Sequence, residues 1–161
     1  EKGNIIVQNR GMTEQEREHF LEQFVAGNSC TGFCVTGGVF SEGIDLKNES
    51  LIGAVIVGTG IPQICTERRL LKDYYEKKDG NGYDYAYTYP GMNKVLQAAG
   101  RVIRTMDDRG IIILLDDRFS KEAYVRLFPE EWSDYRLVRL SEASEVVADF
   151  WDGIDAGPQN L

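Results

Sequence analysis

The sequence predicts one α/β layer domain over residues 1–153, a mostly parallel sheet flanked by helices, with a frayed tail at 154–161. Three observations carry this. Short, continuous apolar runs read as buried parallel strands, and amphipathic stretches with a near-3.6 period lie between them. No internal repeat and no Pro- or Ser-rich linker divides the chain. Its 161 residues suffice for one core, since a domain of this size buries roughly 70% of the surface its unfolded chain exposes.

The elements follow in order. Asn4 to Gln8 is a short apolar strand, Gly11 a turn, and Thr13 with Glu16 the capping-box spacing that opens a helix carrying Phe20, Leu21, Phe24 and Val25 on one face. Gly27 stops that helix. Strands are expected at 33–36, ending at Gly37-Gly38, and at 51–57. Thr66 to Lys78 is an amphipathic helix with Leu70, Leu71, Tyr74 and Tyr75 recurring, ended by the run from Asp79 to Gly82. A helix from Met92 to Arg104, the strand Ile111 to Leu115, and a last helix from Ser141 with the stripe Ala143, Val146, Val147, Phe150 and Trp151 complete the reading.

Composition bounds the function. The 42% apolar and 27% charged residues are ordinary globular values, so neither disorder nor a fibrous class is indicated. No apolar run approaches the roughly 20 residues of a membrane span, and no charged-then-apolar leader precedes the first strand, so no membrane partner and a cytoplasmic location are expected. Cys30, Cys34 and Cys65 form no C-x-x-C pair, and their odd number argues against a disulfide framework; buried, reduced thiols are the expectation. The net charge of −8 opposes a polyanion overall, but Arg68, Arg69 and Lys72 cluster, as do Arg101, Arg104 and Arg109.

The sharpest feature is Gln97-Ala-Ala-Gly-Arg101-Val-Ile-Arg104. On a continuous helix, Gln97, Arg101 and Arg104 share one arc, with Leu96, Ala99 and Ile103 opposite. Three donors in register, with Gly100 permitting close backbone approach, suit an anionic, planar group such as a phosphoryl. Arg-x-x-Arg by itself reads first as a solvated basic face, and the second segment is what shifts that reading. The second segment, Thr36-Gly-Gly-Val-Phe-Ser-Glu-Gly-Ile-Asp-Leu46, lies past the carboxyl end of a strand, where ligands of open α/β sheets gather. Gly37, Gly38 and Gly43 leave amides for a phosphate, while Glu42 and Asp45 offer carboxylates.

Together these two segments resemble motifs V and VI of the superfamily 2 helicases. Ser41 to Leu46, the strand 54–57, Gln97 to Arg104, and the Asp108-to-Phe119 stretch narrow the resemblance to the Rad3/XPD/DinG family over about residues 10–138. The resemblance implies a RecA-like second motor domain of the P-loop NTPase type, in an ATP-dependent translocase on single-stranded DNA. Under it, Arg101 and Arg104 are arginine fingers on the γ-phosphate, and Gln97 positions them or the attacking water. Asp45, with Gly43 and Gly100, faces the nucleotide, and Gly38, Ser41 and Glu42 lie along the DNA and interdomain surface. ATP and Mg²⁺ are held mainly by the first RecA-like domain of the same polypeptide, and no Gly-Lys dipeptide occurs in this chain. By itself the chain is therefore expected to be inactive.

The family places a strand and helix, motif IV, ahead of the segment at Asn4; neither is present, and Glu1 opens the chain, so a fragment is expected. The family's iron-sulfur cysteines belong to its first domain, so any cluster in the parent protein lies outside this chain. The alternative reading is a receiver-like interaction module using Asp116 and Asp117 at a strand end. A receiver wants its acidic pair after the first strand and a lysine after the last, and neither is found. Tyr83, Tyr85, Tyr87 and Tyr89 read first as packing on a sheet edge or against the other domain, ahead of stacking on bases. His19 reads as a lone surface histidine.

Overall fold

The computed structural model describes residues 3–24, 28–38, 40, 51–103 and 108–155. Their order is β1 (Asn4–Val7), α1 (Glu14–Glu22), β2 (Cys30–Phe33), β3 (Gly53–Val57), α2 (Thr66–Asp79), a π-helical turn (Asp84–Thr88) running into α3 (Tyr89–Ala99), β4 (Ile111–Leu115), the one-turn α4 (Glu122–Val125) and α5 (Ala143–Asp155). It is an α/β fold with parallel pairing throughout: Asn4 to Val7 match Cys30 to Phe33, and Gly53 to Val57 match Ile111 to Leu115. The described strands form two separate two-stranded sheets rather than one buried sheet. Val55 and Val57 stay 59% and 70% exposed, so β3 is covered on one face only, through Ile56.

The capping box forms as its spacing predicts. The Thr13 hydroxyl accepts from the Glu16 amide, and the Glu16 carboxylate accepts from the Thr13 amide at 2.7 Å, which lowers the Glu16 pKa. α1 then packs on β2 through Phe20 and Phe24, whose rings leave no room for a side chain at Gly32. That packing moves the second strand to Cys30–Phe33, three residues ahead of the apolar run at 33–36. The pairing register with β1 overrides the hydrophobic pattern.

The core lies between α3 and the β3–β4 pair. Met92, Val95 and Ala99, spaced by three and four residues, bury one face of α3 on Ile56, with Phe119 and Tyr124 closing the far side. At roughly 1.5–3 kcal/mol per buried apolar side chain, this stripe fixes where the polar face of α3 points. α2 instead buries none of its residues, and Gly80 ends it in the left-handed conformation at φ 75°.

Cys30, Cys34 and Cys65 are all free thiols, but only Cys30 is half-buried; Cys34 and Cys65 are exposed, against the expected burial. The tyrosine run packs on α2. It is helical, Tyr87 is buried, and Tyr85 stacks on Tyr75 of α2 at 4.0 Å between ring centroids. His19 is exposed, with Glu22 3.5 Å away.

Candidate functional site

α3 runs along the β3–β4 pair from one strand end to the other. Its first turn meets the loop after β3: a Cβ on Gly91 would stand 2.5 Å from the Thr59 carbonyl oxygen, and one on Gly60 2.9 Å from the Gly91 carbonyl oxygen. Only paired glycines allow this approach, and Gly58 and Gly60 are both left-handed, at φ 82° and 62°. The far end of α3 meets the amino ends of β3 and β4, where Val102 fills the space above Gly110, itself against Ile52.

The turn after β2 closes on the same first half of α3. The Gly38 amide donates to the Val35 carbonyl at 2.9 Å with Gly37 at φ 79°, and the Gln8 side chain accepts from the Val35 amide. The Lys94 stem lies over it: Cδ, Cε and Nζ are 3.1, 3.1 and 3.2 Å from where a Gly37 Cβ would be. The Lys94 Cβ also lies 3.5 Å from the Cβ position of Gly60. Lys94 thus bridges the loops at the carboxyl ends of β2 and β3.

Gln97 is exposed on α3 and Arg101 half-buried beyond it. The helix does not continue to Arg104 as the periodicity suggested. It ends at Ala99, and the chain tightens as the Arg101 and Val102 amides donate to Ala98 and Ala99, three residues back. Arg101 therefore lies past the end of the α-helix that carries Gln97. Val102 is buried in place of Ile103, which stays 44% exposed. Gly100 is exposed at φ −65° and meets only its own helix, so it serves as the cap rather than as a point of close approach. Arg104, Ser41, Glu42, Gly43 and Asp45 lie outside the described residues.

Two of the expected site residues lie apart. Gly38 lies at the carboxyl end of β2, near Lys94, whereas Arg101 lies at the amino ends of β3 and β4. Lys94, Gly91 and Thr59 were missed in the sequence. Lys94 stands three residues before Gln97 on the same helical face, a signal available but unused.

Asp116, at the end of β4, is committed elsewhere. Its carboxylate accepts from Arg118 Nε at 2.8 Å, Nη2 at 2.7 Å and the Arg118 amide at 2.9 Å. Those bonds hold its pKa down to about 2, while Asp117 beside it is exposed. Among the described residues no group of three or more metal-ligating side chains gathers, and no helix is long and apolar enough to cross a membrane.

Residues 1–135 match the family model of the helicase C-terminal domain. This chain belongs to that family. It is 30% identical over 126 residues to a probable ATP-dependent helicase of Methanocaldococcus jannaschii, covering 73% of this chain and 19% of that protein. It is 29% identical over 119 residues to the ATP-dependent DNA helicase YoaA of Escherichia coli, covering 71% and 18%. An XPD helicase structure superposes with a TM-score of 0.61 at 25% identity, covering 76% of this chain and 22% of that one. The helicase C-terminal domain is thus of the Rad3/XPD/DinG type, with the RecA-like fold, and spans under a fifth of the curated relatives cited.

Proposed function

We propose that this domain is the second motor domain of an ATP-dependent DNA helicase that moves on single-stranded DNA. Arg101 and Arg104 supply positive charge to the γ-phosphate of an ATP·Mg²⁺ held mainly by the first RecA-like domain, and Gln97 orients them or the attacking water. Asp45, Gly43 and Gly100 line the nucleotide side, while Gly38, Ser41 and Glu42 follow the DNA strand.

One observation supports this division above all: Gln97 and Arg101 lie at the carboxyl end of α3, while Gly37, next to Gly38, packs on Lys94 in the middle of the same helix, so one helix joins the two segments. A helix buried through Met92, Val95 and Ala99 moves as a unit, and a motor that couples hydrolysis to translocation needs such a link. The test is Arg101→Ala and Arg104→Ala in the protein with both motor domains. Each lowers DNA-stimulated turnover by ~10³–10⁵, roughly 4–7 kcal/mol of barrier. Lysine rescues poorly, because a point-like ammonium cannot reproduce the guanidinium's paired contacts. Near-normal turnover in the alanine variants overturns the assignment.

A further inference from the structure

The sequence motifs do not account for Lys94. Its stem is fixed over Gly37 and beside Gly60, yet its ammonium makes no hydrogen bond or ion pair among the described residues. A lysine ordinarily places its ammonium in water or on a carboxylate. Here the aliphatic carbons are held against two glycine loops, and the charge is left at the carboxyl ends of β2 and β3, one strand from each parallel pair, the strand end where ligands of α/β folds gather. A second observation lies in the adjoining loop. Thr59, between the two left-handed glycines and against Gly91, is 1% exposed, and its hydroxyl has no hydrogen-bond partner among the described residues.

We infer that the Lys94 ammonium contacts a phosphate of the bound single strand, at the carboxyl ends of β2 and β3. This rests on the motor-domain reading above and adds to it a residue on the nucleic-acid side. The nucleotide's phosphates are the other source of the same chemistry. Lys94 stands on α3 over the Gly37 turn, whereas Arg101 lies beyond the helix end at Ala99, so the two cations serve different phosphates. With Arg101 assigned to the nucleotide, the anion left for Lys94 is the strand. The left-handed Gly37 beneath it keeps the approach open, since a Cβ there would press on the lysine stem.

The experiment uses the full-length helicase containing this chain, with Lys94→Met and Lys94→Arg. Methionine keeps an unbranched apolar stem against Gly37 and removes the charge; arginine keeps the charge. Binding of a labelled oligothymidylate is measured without nucleotide across a range of NaCl concentrations, and the KM for ATP at saturating DNA. Lys94→Met is expected to weaken oligothymidylate binding about 3- to 10-fold near 0.1 M salt and to flatten the log-log salt slope by about 0.7, the contribution of one phosphate on a single strand. Lys94→Arg restores both, the melting temperature is unchanged, and the KM for ATP stays within about twofold. Unchanged DNA affinity and slope in Lys94→Met overturn the inference, as does an arginine variant as defective as the methionine one. A raised KM for ATP with intact DNA binding overturns it too, by moving Lys94 to the nucleotide. Failure of the wild-type protein itself to bind oligothymidylate overturns the motor-domain reading along with this one, so the two failures are distinguishable.

Discussion

The Arg68 guanidinium donates to the main-chain carbonyl of Ala86 at 3.2 Å. In α-helical register that carbonyl would accept from the amide of residue 90, but position 90 is Pro90 and has no N–H. The π-helical turn Asp84–Thr88 absorbs the proline, closing with the Tyr89 amide on the Asp84 carbonyl, and Arg68 from α2 supplies the missing donor. Ala86 is fully buried, so removing Arg68 takes away a donor to a buried carbonyl. Arg68→Ala is therefore expected to cost about 1–2 kcal/mol, read as a lower unfolding midpoint, with Arg68→Lys intermediate. An alanine variant of wild-type stability would mean that the bond carries nothing.

Much of this arrangement was legible in the sequence, and its limits have physical causes. The capping box, the helix from Thr66 and the strand Ile111–Leu115 were readable because each rests on a local signal that tertiary packing reinforces. The π-helical turn was not. Alternating tyrosines after a glycine-rich run look like punctuation or a strand, and only the pairing of Tyr75 with Tyr85 and of Arg68 with Ala86 makes the segment helical. The helix end at Ala99 was also hidden. Arg101 to Arg104 continue a good periodicity, but burying Val102 over Gly110 turns the chain out of register. The family resemblance located the motifs, while Lys94 needed the contact between strands far apart in sequence.

Gly91→Ala tests the contact between α3 and the loop after β3. The added methyl would stand 2.5 Å from the Thr59 carbonyl oxygen and 3.2 Å from the Ile61 amide nitrogen, both backbone atoms that cannot swing aside. A helix interior normally gains from glycine-to-alanine replacement, by up to about 1 kcal/mol. Overpacking costs typically 1–3 kcal/mol and wins here, so a net loss of stability is expected by denaturant titration. A gain would show that the loop yields freely.

The Asp116–Arg118 pair makes a prediction in pH. Because the folded pKa of Asp116 is lowered to about 2, below its unfolded value near 3.9, the pair's stabilisation is complete above about pH 4 and is lost as pH falls toward 2. Arg118 is 40% exposed, so solvent screening reduces the contribution to about 1 kcal/mol. Asp116→Asn is expected to lower stability by that amount at pH 7, with the gap to wild type closing below about pH 3. A gap independent of pH would assign the loss to packing instead.

Turnover by the isolated chain separates a coupling domain from a self-sufficient one. The sequence holds no phosphate-binding Gly-Lys loop, so the chain alone is expected to turn over no ATP above background. Its net charge of −8 opposes a polyanion while its cations are local, so its affinity for single-stranded DNA should be weak and should fall steeply with salt. Circular dichroism with the helical and strand content of the fold establishes that the purified chain is folded before either measurement. Joining it to a first RecA-like domain should then produce turnover that DNA stimulates, with nucleotide protecting the junction from proteolysis, because ATP would bridge the two bodies. Steady hydrolysis by the isolated chain, surviving removal of contaminating ATPases, would sink the coupling-domain reading. A tight, salt-insensitive complex with DNA would point instead to the exposed rings of Tyr74, Tyr83 and Tyr85 as a stacking surface, since stacking does not release counterions as a phosphate contact does.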